Sequence, residues 1–306
     1  MNLFLWMILA LVLAACVEND SPPNVVATQT PPLWIPSHET ETPIPTATES
    51  PSPTPTLTLT HPPTATQTPS PTMTSTWAFN PKGEVIAPIL LYHHIDNEKH
   101  NNRYYVSEKN FRQQMLSLRK WGYTSITISQ FISVLVEGGE LPPRPVVITF
   151  DDGDLSVYEN AFSIMQEMGF VGVAYIVSTR LESDGFVNVE QLDEMLAAGW
   201  ELGSHSVSHP DLTADHEIVR DELLTSRLDL NAALGVEVTS FAYPFGKSDT
   251  YVADKTEEYG YSCAVGLGKG WKHTWGMMYH LKRIEIHGDD SLDEFAARLP
   301  WNTPPQ

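Results

Sequence analysis

The chain reads as an α/β protein, a distorted (β/α) barrel of about seven or eight parallel strands. Three observations predict this. From residue 82 onward, short apolar runs alternate with segments of helical periodicity. Ser, Thr or Asn opens several of the helical segments, and Gly closes many of them. The most chemically loaded residues directly follow apolar runs, and strand C-terminal ends are where barrel folds build their sites.

The elements follow in order. Ile89 to Ile95 reads as the first strand. A helix over Glu108 to Lys120 places Phe111, Met115 and Leu118 on one face, with Ser107 as its cap and Gly122 as its stop. A short strand is expected at Ser125 to Ile128, then a helix capped by Ser129 through Phe131, Leu135 and Val136. Val146 to Phe150 is a β-branched, apolar strand. A helix from Leu155 to Met168 ends at Gly169, and Val171 to Val177 is the next strand. Asn188 opens the helix of Leu192, Met195 and Leu196, which Gly199 stops before the strand leading to His205. Thr213 is expected to cap the longest helix, through Ile218, Leu224 and Leu234 to Gly235. A strand at Thr239 to Tyr243, a helix at Ser248 to Glu258, strands at Ser262 to Val265 and Leu281 to Ile286, and a helix from Ser291 to Leu299 complete the domain.

Two sequence patterns carry chemistry. The strand Val146 to Phe150 ends in Asp151, Asp152 and Gly153. Farther along, His205 and His209 stand four positions apart in a polar loop. One carboxylate and two imidazoles can hold a metal ion and leave positions open, and a second carboxylate beside them can take a proton from water. Asp-Gly is also ordinary turn chemistry, and a lone His pair is common. It is the conjunction of the two after short strands that points to metal-assisted hydrolysis.

On these residues the chain resembles the polysaccharide deacetylases of the NodB-homology type, carbohydrate esterase family 4. The first family motif matches Thr149, Phe150, Asp151, Asp152 and Gly153, the second matches His205 to His209, and the third survives in part as Tyr243, Pro244, Phe245 and Gly246. The resemblance spans residues 86 to 300. It implies the barrel fold, a divalent metal held by Asp152, His205 and His209, Asp151 as catalytic base and the Phe245 backbone N–H as an oxyanion donor. Zinc suits such a donor set, with Co²⁺ or Ni²⁺ as alternatives. The family Arg that supports the base is replaced by Ala242, and Arg283 is the candidate substitute. The segment Ile89 to Ile95 resembles the opening of the subfamily that deacetylates poly-β-1,6-N-acetylglucosamine, which implies His93 as general acid. His94, and His287 in a partial Leu-x-x-His spacing, are the other candidates. Strand alternation is expected to send His93 and His94 to opposite faces. Tyr92, Tyr243, Trp271 and Trp275 are the candidate sugar-stacking residues.

The N-terminal segment reports location. Residues 3 to 15 are apolar and end in Leu13, Ala14, Ala15 and Cys16, which resembles a bacterial lipobox. The run has the length of a signal-peptide core rather than a span. Residues 1–16 therefore read as a lipoprotein signal with Cys16 as the lipidated residue. Residues 17–81 read as a disordered linker, Pro- and Thr-rich, too poor in large apolar groups to offset ordering entropy. Extended, it reaches on the order of 200 Å at about 3 Å per residue. Residues 82–306 form the catalytic domain. The expected setting is extracytoplasmic, membrane-tethered by lipid.

Acidic residues outnumber basic ones 38 to 18. That balance argues against nucleic-acid binding. Cys263, the second of 2 cysteines, has no basic neighbour and reads as a core residue. A monomer acting on an acetylated polysaccharide is expected. An O-acetyl esterase for xylan-like polymers and a catalytically silent glycan-binding lipoprotein are the alternatives.

Overall fold

Seven parallel strands close into a barrel in this computed structural model, which describes residues 76–97 and 102–305. The readings of Cys16, of the signal segment and of nearly all of the linker fall outside the described residues. The strands are β1 (Ile89–Tyr92), β2 (Pro145–Phe150), β3 (Val173–Ile176), β4 (Glu201–Ser204), β5 (Ser240–Ala242), β6 (Cys263–Leu267) and β7 (Leu281–Glu285). Around the ring the order is β1, β7, β6, β5, β4, β3, β2, and β2 returns to β1. Leu90 is the seam, in register with Ile148 on one side and Ile284 on the other. Thr124–Ser125 adds a short parallel strand beside β2, outside the closed ring.

Alternation of side chains along the strands builds two cores. Ile89, Val147, Tyr175, Ala242, Val265 and Leu281 belong to the cluster inside the barrel and at its base. Their neighbours Leu90, Ile148, Phe241 and Ile284 face outward into the layer shared with the helices. The helix Glu108–Lys120 packs Phe111, Met115 and Leu118 there, all fully buried, and each such side chain contributes about 1.5–3 kcal/mol. Ser107 caps this helix by accepting the Asn110 N–H, as the sequence predicts.

Some boundaries differ from expectation. Thr127, not Ser129, caps the helix Ile128–Glu137, through a reciprocal bond pattern with Gln130. The Ser129 hydroxyl and N–H are instead taken by Glu201. Thr213 does not cap a helix: its hydroxyl and N–H are both bound by Asp211, and the helix begins only at Val219. Ala78–Asn80 pairs with Gly139–Leu141, so structure starts before the domain boundary expected at residue 82. The stretch around Trp271 and Trp275, expected as a loop, contains the strand Lys272–Thr274 paired with Glu84–Ile86. Cys263 is a core residue, and burial pushes its thiol above the ordinary value.

Gly203 shows how tightly the strand leading to the histidines is packed. A Cβ there would lie 2.2 Å from the buried Tyr175 ring and 2.8 Å from the Ser240 hydroxyl. Gly203→Ala is expected to destabilise the domain by about 1–3 kcal/mol through overpacking. Urea unfolding checks this, and a variant as stable as wild type would contradict the tight contact.

Candidate active site

The residues singled out by the motifs arrive at one mouth of the barrel because each follows, or ends, a parallel strand. His93 follows β1, Asp151 and Asp152 follow β2, His205 follows β4, and Phe245 lies in the turn after β5. Arg283 points inward from β7. Together they border a cavity of about 260 Å³.

Arg283 is 1% exposed and grips Asp151 with both arms, Nη1 to Oδ1 at 2.6 Å and Nη2 to Oδ2 at 2.7 Å. It also donates to Thr149 Oγ1 and to the Gly266 carbonyl, and its guanidinium lies over the Tyr175 ring. The support that Ala242 cannot give thus reaches Asp151 from another strand. Burial alone would raise the Asp151 pKa, but the charge and hydrogen bonds of Arg283 oppose it, and the carboxyl is held at about 2.

Asp152, His205 and His209 each offer one donor atom, all within 4.8 Å of one another. His205 Nδ1 donates to the Ala242 carbonyl at 2.7 Å, which leaves Nε2 for the cavity. His209 Nε2 lies 3.7 Å from Asp152 Oδ1. Two ligands about 2.1 Å from a common ion at the tetrahedral angle stand roughly 3.4 Å apart, so the spacing fits a metal. Burial lowers the His205 pKa, partly offset by Asp151 and Asp152, which favours the neutral, ligating imidazole.

The loops are held in unusual conformations. Asp152, Ser206, His209 and Phe245 all have positive φ, at 74°, 69°, 64° and 58°. Asp accepts this region more readily than Phe. Such residues persist only where the surroundings over-determine them. Glu222, buried on a helix, supplies that constraint for the histidine loop. Its carboxylate accepts the N–H groups of Val207 and Ser208 and the Ser208 hydroxyl, at 2.8, 2.9 and 2.6 Å. Arg180 donates to Asp152 Oδ1 at 2.8 Å, and that oxygen has a second lone pair for an ion. Neither Glu222 nor Arg180 sits in a recognisable motif, so sequence reasoning missed both.

The three candidate acids separate clearly. His93 borders the cavity, packs on Tyr104, and has Asp151 and Asp152 among the charges acting on it. Burial lowers its pKa and the two carboxylates oppose that shift. His94 also borders the cavity, contrary to the opposite-face expectation. The regular strand stops at Tyr92, and alternation stops with it. His94 Nδ1 is 2.9 Å from Asp154 and its ring stacks on Tyr105. His287 Nε2 is 2.6 Å from Glu285 and the residue does not border this cavity.

Three of the four expected stacking residues are corrected. Tyr92 is buried among Phe111 and Phe150 with its hydroxyl on Gln114, and Tyr243 is buried with its hydroxyl on the Tyr279 carbonyl. Both point outward to the helix layer because their strand neighbours Leu91 and Ala242 point inward. Trp275 is 63% exposed, but its N–H bonds Gly83, at the barrel end where strands begin. It lies away from the mouth. Trp271 lines a separate cavity beside the one that Asp151 borders.

Comparison with known proteins agrees with this architecture. The family model described as polysaccharide deacetylase matches residues 138–264. The chain is 25% identical over 219 residues to the poly-beta-1,6-N-acetyl-D-glucosamine N-deacetylase of Staphylococcus aureus, covering 67% of this chain and 75% of that protein. It superimposes on a polysaccharide deacetylase from Bacillus cereus with a TM-score of 0.63 and 27% identity, over 70% of this chain and 69% of that one. The fold also matches IcaB from Ammonifex degensii, with a TM-score of 0.58 and 24% identity, over 70% of this chain and 95% of that one. Residues 138–264 thus match the polysaccharide deacetylase family, within a fold shared with solved polysaccharide deacetylases.

The Arg283 contact has a measurable acid signature. With a folded pKa of about 2 against an ordinary 3.8, Asp151 contributes stability that is complete above about pH 4 and is lost as pH falls toward 2. The contribution is on the order of 2 kcal/mol. Arg283→Met leaves a buried carboxylate unpaired and is expected to cost about 3–5 kcal/mol at neutral pH. It should also abolish that acid-side loss. Urea melts between pH 2 and 7 read both effects, and an unchanged profile in Arg283→Met would contradict the pairing.

Proposed function

We propose that this chain is a metal-dependent N-deacetylase acting outside the cytoplasm on an N-acetylglucosamine polymer, with the β-1,6-linked polymer as first candidate. The observation that carries the reading is the gathering of the Asp152, His205 and His209 donor atoms within 4.8 Å, beside a separately clamped Asp151. The names of its relatives and the Tyr92-His93 opening support the choice of glycan. The lipobox-like segment ending at Cys16 and the Pro/Thr linker support a lipid-tethered domain that reaches a wall or matrix polymer. No helix among the described residues is long and apolar enough to cross a membrane.

Each residue has a separate task in this scheme. Asp152, His205 and His209 hold the ion, zinc by the chemistry of the donor set. When bound there, a divalent ion supplies Lewis acidity and makes water a nucleophile near neutral pH. Asp151, kept ionised by Arg283, accepts the proton of the attacking water. The backbone N–H of Phe245 donates to the developing oxyanion. His93 carries the proton to the departing amine, which must leave as a neutral group.

The division of labour is testable by separating ion binding from turnover. Asp151→Asn is expected to retain a stoichiometric ion and lose about 10²–10⁴-fold in acetate release, as loss of a general base does. Asp152→Ala and His209→Ala are expected to lose the ion itself. Acetate release from poly-β-1,6-N-acetylglucosamine, with zinc and with chelator, together with metal analysis, checks all three. An active Asp151→Asn would overturn the base assignment. Release from acetylated xylan but not from glucosamine polymers would make the chain an O-acetyl esterase. No release from either, with the ion bound, would leave a glycan-binding protein.

A further inference from the structure

The catalytic cavity, at about 260 Å³, is smaller than the roughly 300–1,000 Å³ of ordinary ligand sites, too small to take a stretch of polymer. A second cavity of about 630 Å³ lies against it, on the outer flank of the barrel. Leu267, Arg283 and Glu285 border both. The rim between the two is therefore a shared wall.

The path of the chain builds the second cavity. Leu267 ends β6 and remains 42% exposed on the rim, packed so closely over Gly246 that a Cβ there would lie 2.3 Å from it. The Gly268 N–H then bonds the Arg283 carbonyl, and the Trp271 carbonyl accepts the Ala87 N–H. The segment thus descends across the outer face of β7. Ile284, outward-facing on β7, and Arg298, at the end of the last helix, complete the walls. Lys269 is exposed there and forms no ion pair among the described residues. An indole and aliphatic surface with a few charged donors and acceptors is the chemistry that receives a sugar, which offers C–H faces and hydroxyls together.

We propose that this flank cavity binds the glycosyl units that follow the acetylated sugar on the same polymer, which crosses the rim at Leu267 and rests on Trp271. The inference rests on the deacetylase reading and deepens it: the substrate is an oligomer, held by two cavities at once.

Calorimetry on the full chain in chelator, titrated with β-1,6-linked N-acetylglucosamine oligomers of increasing length, tests it without turnover. Wild type should gain at least tenfold in affinity from one unit to four. Trp271→Ala should lose most of that gain and Trp271→Phe should keep most of it. Lys269→Glu, an exposed substitution that leaves packing intact, should reduce it. A gain that persists in both Trp271→Ala and Lys269→Glu, or no gain in wild type, would overturn the proposal. Acetate release from the same oligomers is measured in parallel with zinc. If no length releases acetate, the deacetylase reading fails, while the affinity series still decides whether the cavity holds glycan.

Discussion

The buried ion pair between Asp151 and Arg283 is the constraint around which the site is arranged. The two residues come from β2 and β7, which are not neighbours: β1 lies between them and closes the barrel. The pair spans that seam. Taking both charges out of water is expensive, and their attraction offsets the cost only with good geometry and further hydrogen bonds. Here the contact is two-armed, Thr149 and Gly266 take remaining donors, and the Tyr175 ring lies under the guanidinium. An apolar pair would pack at lower cost. What it would not give is a carboxylate kept ionised and aimed at the mouth.

The residues that would hold an ion are built differently, from loop conformations under strain. Asp152 turns away from Asp151 by adopting positive φ, so adjacent residues serve separate tasks. The histidine loop is tied down by Glu222 from below and by Ser178 and Thr179 alongside, through their N–H bonds to Ser206 and Val207. Non-glycine residues at positive φ cost on the order of 1–3 kcal/mol each. Four of them at one mouth mean that the rigid barrel supports a site which isolated loops would not hold.

Much of the barrel was legible because strand and helix periods differ and caps mark the boundaries. Ser107 caps its helix and Asn188 opens its own, as read. The meeting of the motif residues at one mouth was legible too, since two short patterns contain Asp151, Asp152, His205 and His209. What escaped depends on direction and on distance in the chain. Tyr92 and Tyr243 lie beside site residues in sequence, yet one step of a strand reverses a side chain, and both face the helices. Arg283 could be named only as a candidate for the role vacant at Ala242. Nothing along the chain shows that a residue 132 positions away meets Asp151. Glu222 and Arg180 carried no signal at all, because a carboxylate that caps a loop and an arginine on a turn resemble many surface residues.

The central claim is that one oxygen and two nitrogen donors share a cation beside a carboxylate that does not bind it. Anomalous diffraction at the zinc edge, from crystals of the chain grown with zinc, measures this directly. One strong peak is expected about 2.0–2.2 Å from Asp152, His205 and His209, with Asp151 still paired to Arg283. A peak ligated by Asp151, a peak at His287, Asp289 and Asp290 instead, or no peak at saturating zinc would contradict it.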